Sequence, residues 1–116
     1  MAIKIPGIDT VTGLNLFDGD ENNYLTVLRA WLANVPAVLD KLRNVSSETL
    51  ANYAAAMHNL KGTCASIGAE ELRAKARKLE EMAKAGDISG LQSENEAFLK
   101  QAEGALAEVK KWLDKN

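Results

Sequence analysis

The sequence has few of the residues that build disulfides and metal centres. It contains one cysteine and one histidine among 116 residues, so an internal disulfide is excluded. A di-metal site in a helix bundle needs Glu-x-x-His pairs, but position 55 is Ala55 and there is no second histidine. We therefore expect no bound metal, and we interpret Cys64 as a small apolar core residue.

Long apolar runs and targeting signals are also missing. No segment approaches the roughly 18 apolar residues that a membrane-spanning helix needs. The N-terminus lacks the basic region and the apolar run of a signal peptide. We expect a cytoplasmic or cytosol-facing domain that does not insert into a membrane.

Signatures of nucleotide-using enzymes and of nucleic-acid binding are absent too. There is no G-x-x-x-x-G-K-[ST] motif and no other glycine-rich phosphate loop. The net charge of -2 disfavours nucleic acid as the main partner, because a phosphate backbone calls for a basic face. One group of basic residues is mixed with glutamates and predicts a solvated face: Arg73, Lys75, Arg77, Lys78 and Lys84. These features favour a protein partner.

Composition and periodicity predict a bundle of helices. Hydrophobic residues make up 47% of the chain, and only two prolines interrupt stretches that are otherwise free to be helical. Four long amphipathic segments with short connections predict an all-α fold, an antiparallel four-helix bundle with an additional short N-terminal helix. Residues 1–8 are predicted to be a linker or lead-in segment, and residues 9–116 to be one bundle domain.

Capping and breaking residues predict where the helices begin and end. Asp9 predicts the start of a short helix through Phe17, and Gly68 predicts a helix end. The long helices are predicted at about residues 20–43, from after Ser46 or Ser47 to 67, at 69–85, and from 88 or 91 to 114. Pro36 predicts a bend or a break in the first of these. The last is predicted to bury Leu91, Phe98, Leu99, Ala102, Leu106, Val109 and Trp112 or Leu113.

The single histidine, His58, points away from the apolar stripe of its own helix. The stripe consists of residues that recur at three- and four-residue steps: Leu50, Tyr53, Met57, Leu60, Cys64 and Ile67. At about 100° per residue, the imidazole points roughly 130° from the middle of that stripe. Its direction is shared by small residues where a solvated helix normally carries Lys, Glu or Gln: Ala51, Ala54, Ala55, Gly62 and Ala65. They predict a docking face, and a close helix contact inside the bundle is the alternative for the alanines.

Lys61 and Gly62 give this histidine the surroundings of a phosphoryl acceptor. Glycine inside a helix costs about 1 kcal/mol relative to alanine, and the missing side chain of Gly62 opens space one turn from the imidazole. The stem of Lys61 is long enough to bring an ammonium group next to whatever the ring nitrogen carries. A solvated helix lysine is the alternative interpretation of Lys61.

These motifs resemble those of a known family. The spaced set that carries the resemblance is His58-x-x-Lys61-Gly62, Ile67-Gly68-Ala69, Leu72 and Leu79-Glu80. It resembles the signature of the histidine-containing phosphotransfer (HPt) domain of bacterial multistep phosphorelays. An N-terminal run is similar to the start of HPt modules that follow receiver domains in hybrid sensor kinases: Ile5-Pro6-Gly7-Ile8-Asp9, Gly13-Leu14, Phe17, Gly19-Asp20 and Tyr24. The resemblance covers nearly the whole chain.

The resemblance implies a phosphorelay intermediate. His58 would accept a phosphoryl group from the aspartyl phosphate of a receiver domain and pass it to another receiver, with Lys61 offsetting phosphoryl charge and Gly62 leaving access for the partner. The receiver would supply Mg²⁺, so no cofactor bound by this chain is expected. We expect a monomer without an ATP-binding kinase domain, either free-standing or the cytosolic C-terminal domain of a membrane-bound hybrid kinase.

Glu80 is a candidate for orienting the imidazole. Helices on either side of the Gly68 turn should run antiparallel, which places His58 and Glu80 at similar heights. A carboxylate there could accept a hydrogen bond from one ring nitrogen and leave the other free to attack. The HPt resemblance implies the same role at this spacing. The alternative is a solvated carboxylate that pairs with Lys84 at i+4.

Two other functions compete with the relay. A helical adaptor or dimerisation module could retain the motif without the chemistry, and it would not need a free nitrogen on His58. A histidine attached to a kinase could instead take phosphate directly from an ATP-binding domain. The N-terminal run disfavours this last interpretation, because it resembles modules that follow receivers.

Overall fold

Five helices form the fold of residues 3–116, the part of the chain that the computed structural model describes. Met1 and Ala2, the first residues of the predicted linker, lie outside the described residues. The helices are α1 (Thr10–Asn15), α2 (Glu21–Lys41), α3 (Leu50–Ala65), α4 (Glu70–Lys84) and α5 (Ile88–Lys115). No strand occurs between residues 3 and 116. The predicted all-α class, with four long helices and a short N-terminal helix, is confirmed.

Aspartate caps begin three of the helices, because their carboxylates accept hydrogen bonds from N–H groups that have no partner inside the helix. The Asp9 carboxylate accepts from the backbone N–H of Thr12 at the start of α1, at 3.0 Å. Asp20 caps α2 and Asp87 caps α5 in the same way. The connections between the long helices are short, so neighbouring helices run antiparallel.

The start of α3 differs from the prediction. The helix begins at Leu50, not directly after Ser46 or Ser47. Ser46 and Thr49 bond each other reciprocally: the Ser46 N–H donates to Thr49 Oγ1, and the Thr49 N–H donates to Ser46 Oγ. This is the arrangement of a capping box in which threonine replaces the usual Glu or Gln, and it holds a turn ahead of the helix.

Two other predictions concern the N-terminal half: the predicted end of the first helix was wrong, and of the bend or break predicted at Pro36 the break is absent. Helix α1 ends at Asn15 instead of continuing through Phe17, because the Gly19 N–H returns to the carbonyl of Leu14 and turns the chain. That turn brings the Phe17 ring within 6.0 Å of the Tyr24 ring, measured between centroids. Helix α2 runs without a break through Pro36, whose exposed side chain leaves the apolar face of the helix intact.

The core is continuous along the bundle and extends to the lead-in segment. Its largest fully buried side chains include Trp31, Tyr24, Tyr53, Leu28, Leu39 and Met57. Three isoleucines of the predicted linker pack into the same core: Ile3, Ile5 and Ile8. Cys64 is fully buried, as the sequence predicts for a core residue, and burial raises the pKa of its thiol to about 12.

The end of α5 is less buried than the sequence predicts. Leu106, Trp112 and Leu113 are only half-buried, whereas Leu91, Phe98 and Val109 lie in the core. Helix α5 has 28 residues and α4 has 15, so the last turns of α5 extend past the helix that precedes them. None of the helices between residues 3 and 116 combines the length and apolar content that a membrane crossing requires.

The turn between α3 and α4 is anchored to the N-terminal end of the chain. Gly68 has a φ of 81°, in the left-handed region that favours glycine, and its carbonyl accepts the Asp9 N–H at 2.8 Å. A Cβ added at Gly68 would lie 2.1 Å from the carbonyl oxygen of Asp9. The Tyr24 hydroxyl donates to the carbonyl of Ile67 at 2.7 Å. These contacts fix the turn that sets how α3 and α4 face each other.

Candidate functional site

His58 lies on the outer face of α3 with one ring nitrogen engaged and the other free. Its side chain is 61% exposed. Nδ1 lies 2.9 Å from Oε2 of Glu80 on α4. Nε2 has no hydrogen-bond partner among residues 3–116. An ionised carboxylate can only accept, so the contact requires a proton on Nδ1, and a neutral ring then carries its lone pair on the exposed Nε2.

Glu80 is a buried carboxylate with three partners. Its side chain is 3% exposed, although the residue lies on a helix rich in solvated charges. Oε1 accepts from the ammonium of Lys61 at 2.8 Å, and Oε2, which contacts Nδ1 of His58, forms a salt bridge with the ammonium of Lys84 at 2.9 Å. The hydrogen bond from Lys61, followed by the contact with Lys84, lowers the pKa of Glu80 to about 2 against the opposing effect of burial. The carboxylate is therefore ionised at neutral pH.

The packing of α3 against α4 explains why Glu80 lies at this position. Leu79 and Ala83 are buried against the core, and Glu80 follows Leu79 at the flank of the contact between the two helices. The antiparallel turn at Gly68 brings that flank to the height of His58. The predicted proximity of His58 and Glu80 is therefore present in the fold.

The contacts of Glu80 differ from the prediction in two ways. A His58 contact and a Lys84 contact were alternatives for Glu80, but both are present on the same oxygen. The bond from Lys61 to Glu80, which leaves the lysine side chain 27% exposed, was not predicted. The signal was available, because Lys61 is one turn from His58 on the same helix and faces the same residue of α4.

Gly62 leaves open space beside this cluster. The residue is exposed within α3, and a Cβ built there would meet no atom within 4 Å. No packing inside the fold therefore requires glycine at this position. A longer side chain would project outward from the surface that carries the imidazole.

The alanines of the predicted docking face differ in burial. Ala51 and Ala55 are exposed, so a close helix contact inside the bundle does not explain them. Ala54 is partly buried and packs against the core, and Ala65 is also partly buried. A close helix contact inside the bundle can therefore explain only Ala54 and Ala65, at the inner edge of this face.

The cluster has the parts of a phosphoryl acceptor: a nucleophilic nitrogen facing solvent, a carboxylate that holds the opposite nitrogen, and nearby ammonium groups. The family model described as Hpt domain matches residues 26–114. The chain belongs to the Hpt domain family. Comparisons with curated proteins and with solved structures gave no match.

The Hpt assignment confirms the resemblance predicted from the sequence. Hpt domains are helical phosphotransfer modules of two-component phosphorelays, where they interact with receiver domains, and an Hpt domain carries no kinase domain of its own. The range matched by the family model includes all the residues of the cluster: His58, Lys61, Gly62, Glu80 and Lys84. Between residues 3 and 116, the Hpt domain has no group of three or more His, Cys, Asp or Glu side chains that could hold a metal ion.

Proposed function

We propose that this Hpt domain accepts a phosphoryl group on Nε2 of His58 from the aspartyl phosphate of one receiver domain and passes it to a second receiver. The observation that carries the proposal is the hydrogen bond from Nδ1 to Glu80, because it leaves the lone pair of the other nitrogen exposed to an approaching partner. The direct test is incubation of the protein with a panel of phosphorylated receivers and detection of acid-labile, base-stable phosphate on the chain.

The bonds that form and break in the transfer step belong to the imidazole and the acyl phosphate. The Nε2 lone pair of His58 attacks phosphorus in line, the bond from phosphorus to the aspartate oxygen breaks, and its electron pair remains on the receiver carboxylate. The proton on Nδ1 stays in place and donates to Glu80 throughout. Transfer to the second receiver is the reverse of this step with a new aspartate. Mg²⁺ would be held by the receiver, where it would offset charge on the phosphoryl oxygens.

Glu80 and Lys61 stabilise different charges: Glu80 the positive charge of the phosphorylated ring, and Lys61 the negative charge of the phosphoryl oxygens. Phosphorylation at Nε2 makes the ring cationic while Nδ1 keeps its proton, and the ionised carboxylate of Glu80 stabilises that charge. Lys61 stabilises the equatorial phosphoryl oxygens, where positioning and electrostatics supply most of the catalysis in phosphoryl transfer. Its ammonium bonds Glu80 at 2.8 Å in the unphosphorylated protein, on the carboxylate that also holds the ring of His58.

The partner docks over the small side chains around the imidazole. Ala51 and Ala55 are exposed and Gly62 has open space, so the acidic pocket of a receiver can approach the α3 surface closely. A monomeric bundle that engages one receiver at a time is sufficient for this chemistry. An adaptor or dimerisation module would give no reason for a buried carboxylate that holds one particular ring nitrogen.

Replacing Lys61 by alanine is expected to slow transfer in both directions by about tenfold, equivalent to about 1.4 kcal/mol of transition-state stabilisation. The loss follows from removing the cation that offsets phosphoryl charge, and the lifetime of phospho-His58 should shorten as well. Rapid-quench measurement of label on both proteins tests it. Lys100→Ala is the matched control, because Lys100 is an exposed lysine of α5 that pairs with Glu96. Equal rates for Lys61→Ala and wild type would contradict the role.

Replacing Gly62 by glutamine is expected to raise stability by about 0.5 kcal/mol, since a better helix former replaces glycine at an exposed position. Transfer should nevertheless slow by about tenfold, because the new side chain projects from the face that the receiver must approach. Gly104→Gln is the matched control: Gly104 is an exposed glycine of α5 whose added Cβ would also meet no atom within 4 Å. Thermal unfolding and transfer kinetics measure the two effects. Equal transfer by both variants would exclude an access role for Gly62.

A further inference from the structure

Glu80 has two ammonium partners, one on each carboxylate oxygen. Lys61 on α3 bonds Oε1, and Lys84, four residues later on α4, bonds Oε2. The two lysines differ in exposure: the side chain of Lys84 is 66% exposed and that of Lys61 is 27% exposed. Lys84 therefore reaches the buried carboxylate from the solvent side, where its own hydration is largely retained.

Phosphoryl transfer makes different demands on the two lysines. If Lys61 binds the phosphoryl oxygens, its ammonium must leave Oε1 of Glu80. The Glu80 carboxylate would then lose one of the two cations beside it, and a charge shielded from solvent depends on the cation that remains. Without a second cation, Glu80 would hold Lys61 back from the phosphoryl group.

We propose that Lys84 is a positioning residue that remains on Glu80 and allows Lys61 to move to the phosphoryl group. The inference rests on the proposed function. Lys84 is suited to this task because it bonds the oxygen that Lys61 does not use. The same oxygen accepts from Nδ1 of His58, so the salt bridge to Lys84 and the hydrogen bond to the ring are present together. The imidazole thus stays oriented while Lys61 leaves.

An ordinary surface ion pair is the competing explanation for Lys84. Pairs at i, i+4 on an exposed helix contribute only a few tenths of a kcal/mol, and the chain has others, such as Arg77 with Glu81. In such a pair Lys84 would have no effect on transfer. A direct role on the phosphoryl group is the second competitor, and it would not depend on the charge of Glu80.

A double-mutant cycle with Glu80→Gln distinguishes these explanations. Glutamine keeps a carbonyl oxygen that can accept from Nδ1 of His58, but it is neutral and needs no counter-ion. Lys84→Met is expected to slow transfer from a phosphorylated receiver by about tenfold in the wild-type background, since Lys61 is then held on Glu80. In the Glu80→Gln background the same substitution should change the rate by less than about twofold.

Three companion measurements complete the experiment. Lys84→Arg should restore the wild-type rate because it retains the cation. Lys78→Met is the matched control, since Lys78 is an exposed lysine of α4 that pairs with Glu94 on α5 instead. Nitrogen NMR of Lys84→Met should show the same His58 tautomer as wild type, because Glu80 still accepts from Nδ1. An unchanged tautomer would show that the slower transfer of Lys84→Met does not come from a misoriented imidazole.

Each outcome decides the matter. A loss confined to the background with Glu80 supports the proposal. Equal losses in both backgrounds would show that Lys84 acts on the partner or the phosphoryl group directly, and no loss in either would return it to a surface ion pair; both results overturn the inference. If wild type transfers phosphate normally and either of these two results is found for Lys84, the inference about Lys84 fails but the proposed function stands. If wild type takes up no label, both proposals are overturned.

Discussion

His58→Gln is expected to abolish labelling of the protein by a phosphorylated receiver. A glutamine amide has no nucleophilic nitrogen lone pair, and the chain contains no second histidine that could replace His58. The fold should be unaffected, with stability within about 0.5 kcal/mol of wild type, because the side chain is 61% exposed. Labelling is measured after incubation with a phosphorylated receiver, and circular dichroism checks helix content. Acid-labile, base-stable label that persists on the variant would contradict the assignment of His58.

The same variant distinguishes the relay from an adaptor. In the relay, wild type takes up label and His58→Gln does not, while both proteins bind the receiver. An adaptor that has only retained the motif predicts receiver binding by both proteins and label on neither. Binding measured by calorimetry beside the labelling experiment therefore gives a different pattern for each function.

Most of the fold could be predicted from the sequence because its signals are local. Three-and-four-residue periodicity predicts the buried faces of the helices, and the cap at Asp9 predicts where the first helix starts. The errors occur at helix ends, where single turns and the relative lengths of the helices decide. Helix α1 ends early because the Gly19 N–H bonds the carbonyl of Leu14, and α3 starts late because Ser46 and Thr49 bond each other. The end of α5 is half-buried because that helix is longer than α4.

The sequence predicts the contact between His58 and Glu80, but not that Glu80 is buried and contacts Lys61 and Lys84 at the same time. The antiparallel turn at Gly68 is enough to pair the heights of His58 and Glu80, since that estimate needs only helix rise and turn position. The height estimate does not distinguish a buried carboxylate from a solvated one at the flank of a helix contact. That difference depends on how closely α3 and α4 approach, and here it leaves Glu80 only 3% exposed with Lys61 and Lys84 on opposite oxygens.

Loss of the hydrogen bond between His58 and Glu80 is expected to slow transfer more than any other change except loss of His58 itself. Glu80→Ala removes the acceptor that keeps the proton on Nδ1 of His58, so part of the population should carry it on Nε2, the attacking atom. It also removes the anion that stabilises the phosphorylated ring. We expect transfer to slow by about 100-fold, equivalent to about 2.7 kcal/mol of transition-state stabilisation.

Two controls test whether this loss comes from the ring. Glu80→Gln keeps an acceptor for Nδ1 and should retain transfer within about threefold of wild type, since a neutral hydrogen bond replaces a charged one. Glu81→Ala removes an adjacent solvated carboxylate, which pairs with Arg77, and should have no effect. Nitrogen NMR should detect mixed tautomers only in Glu80→Ala. If the tautomer and the transfer rate of Glu80→Ala both match wild type, the buried carboxylate serves the packing of α3 against α4 and His58 is oriented by other means.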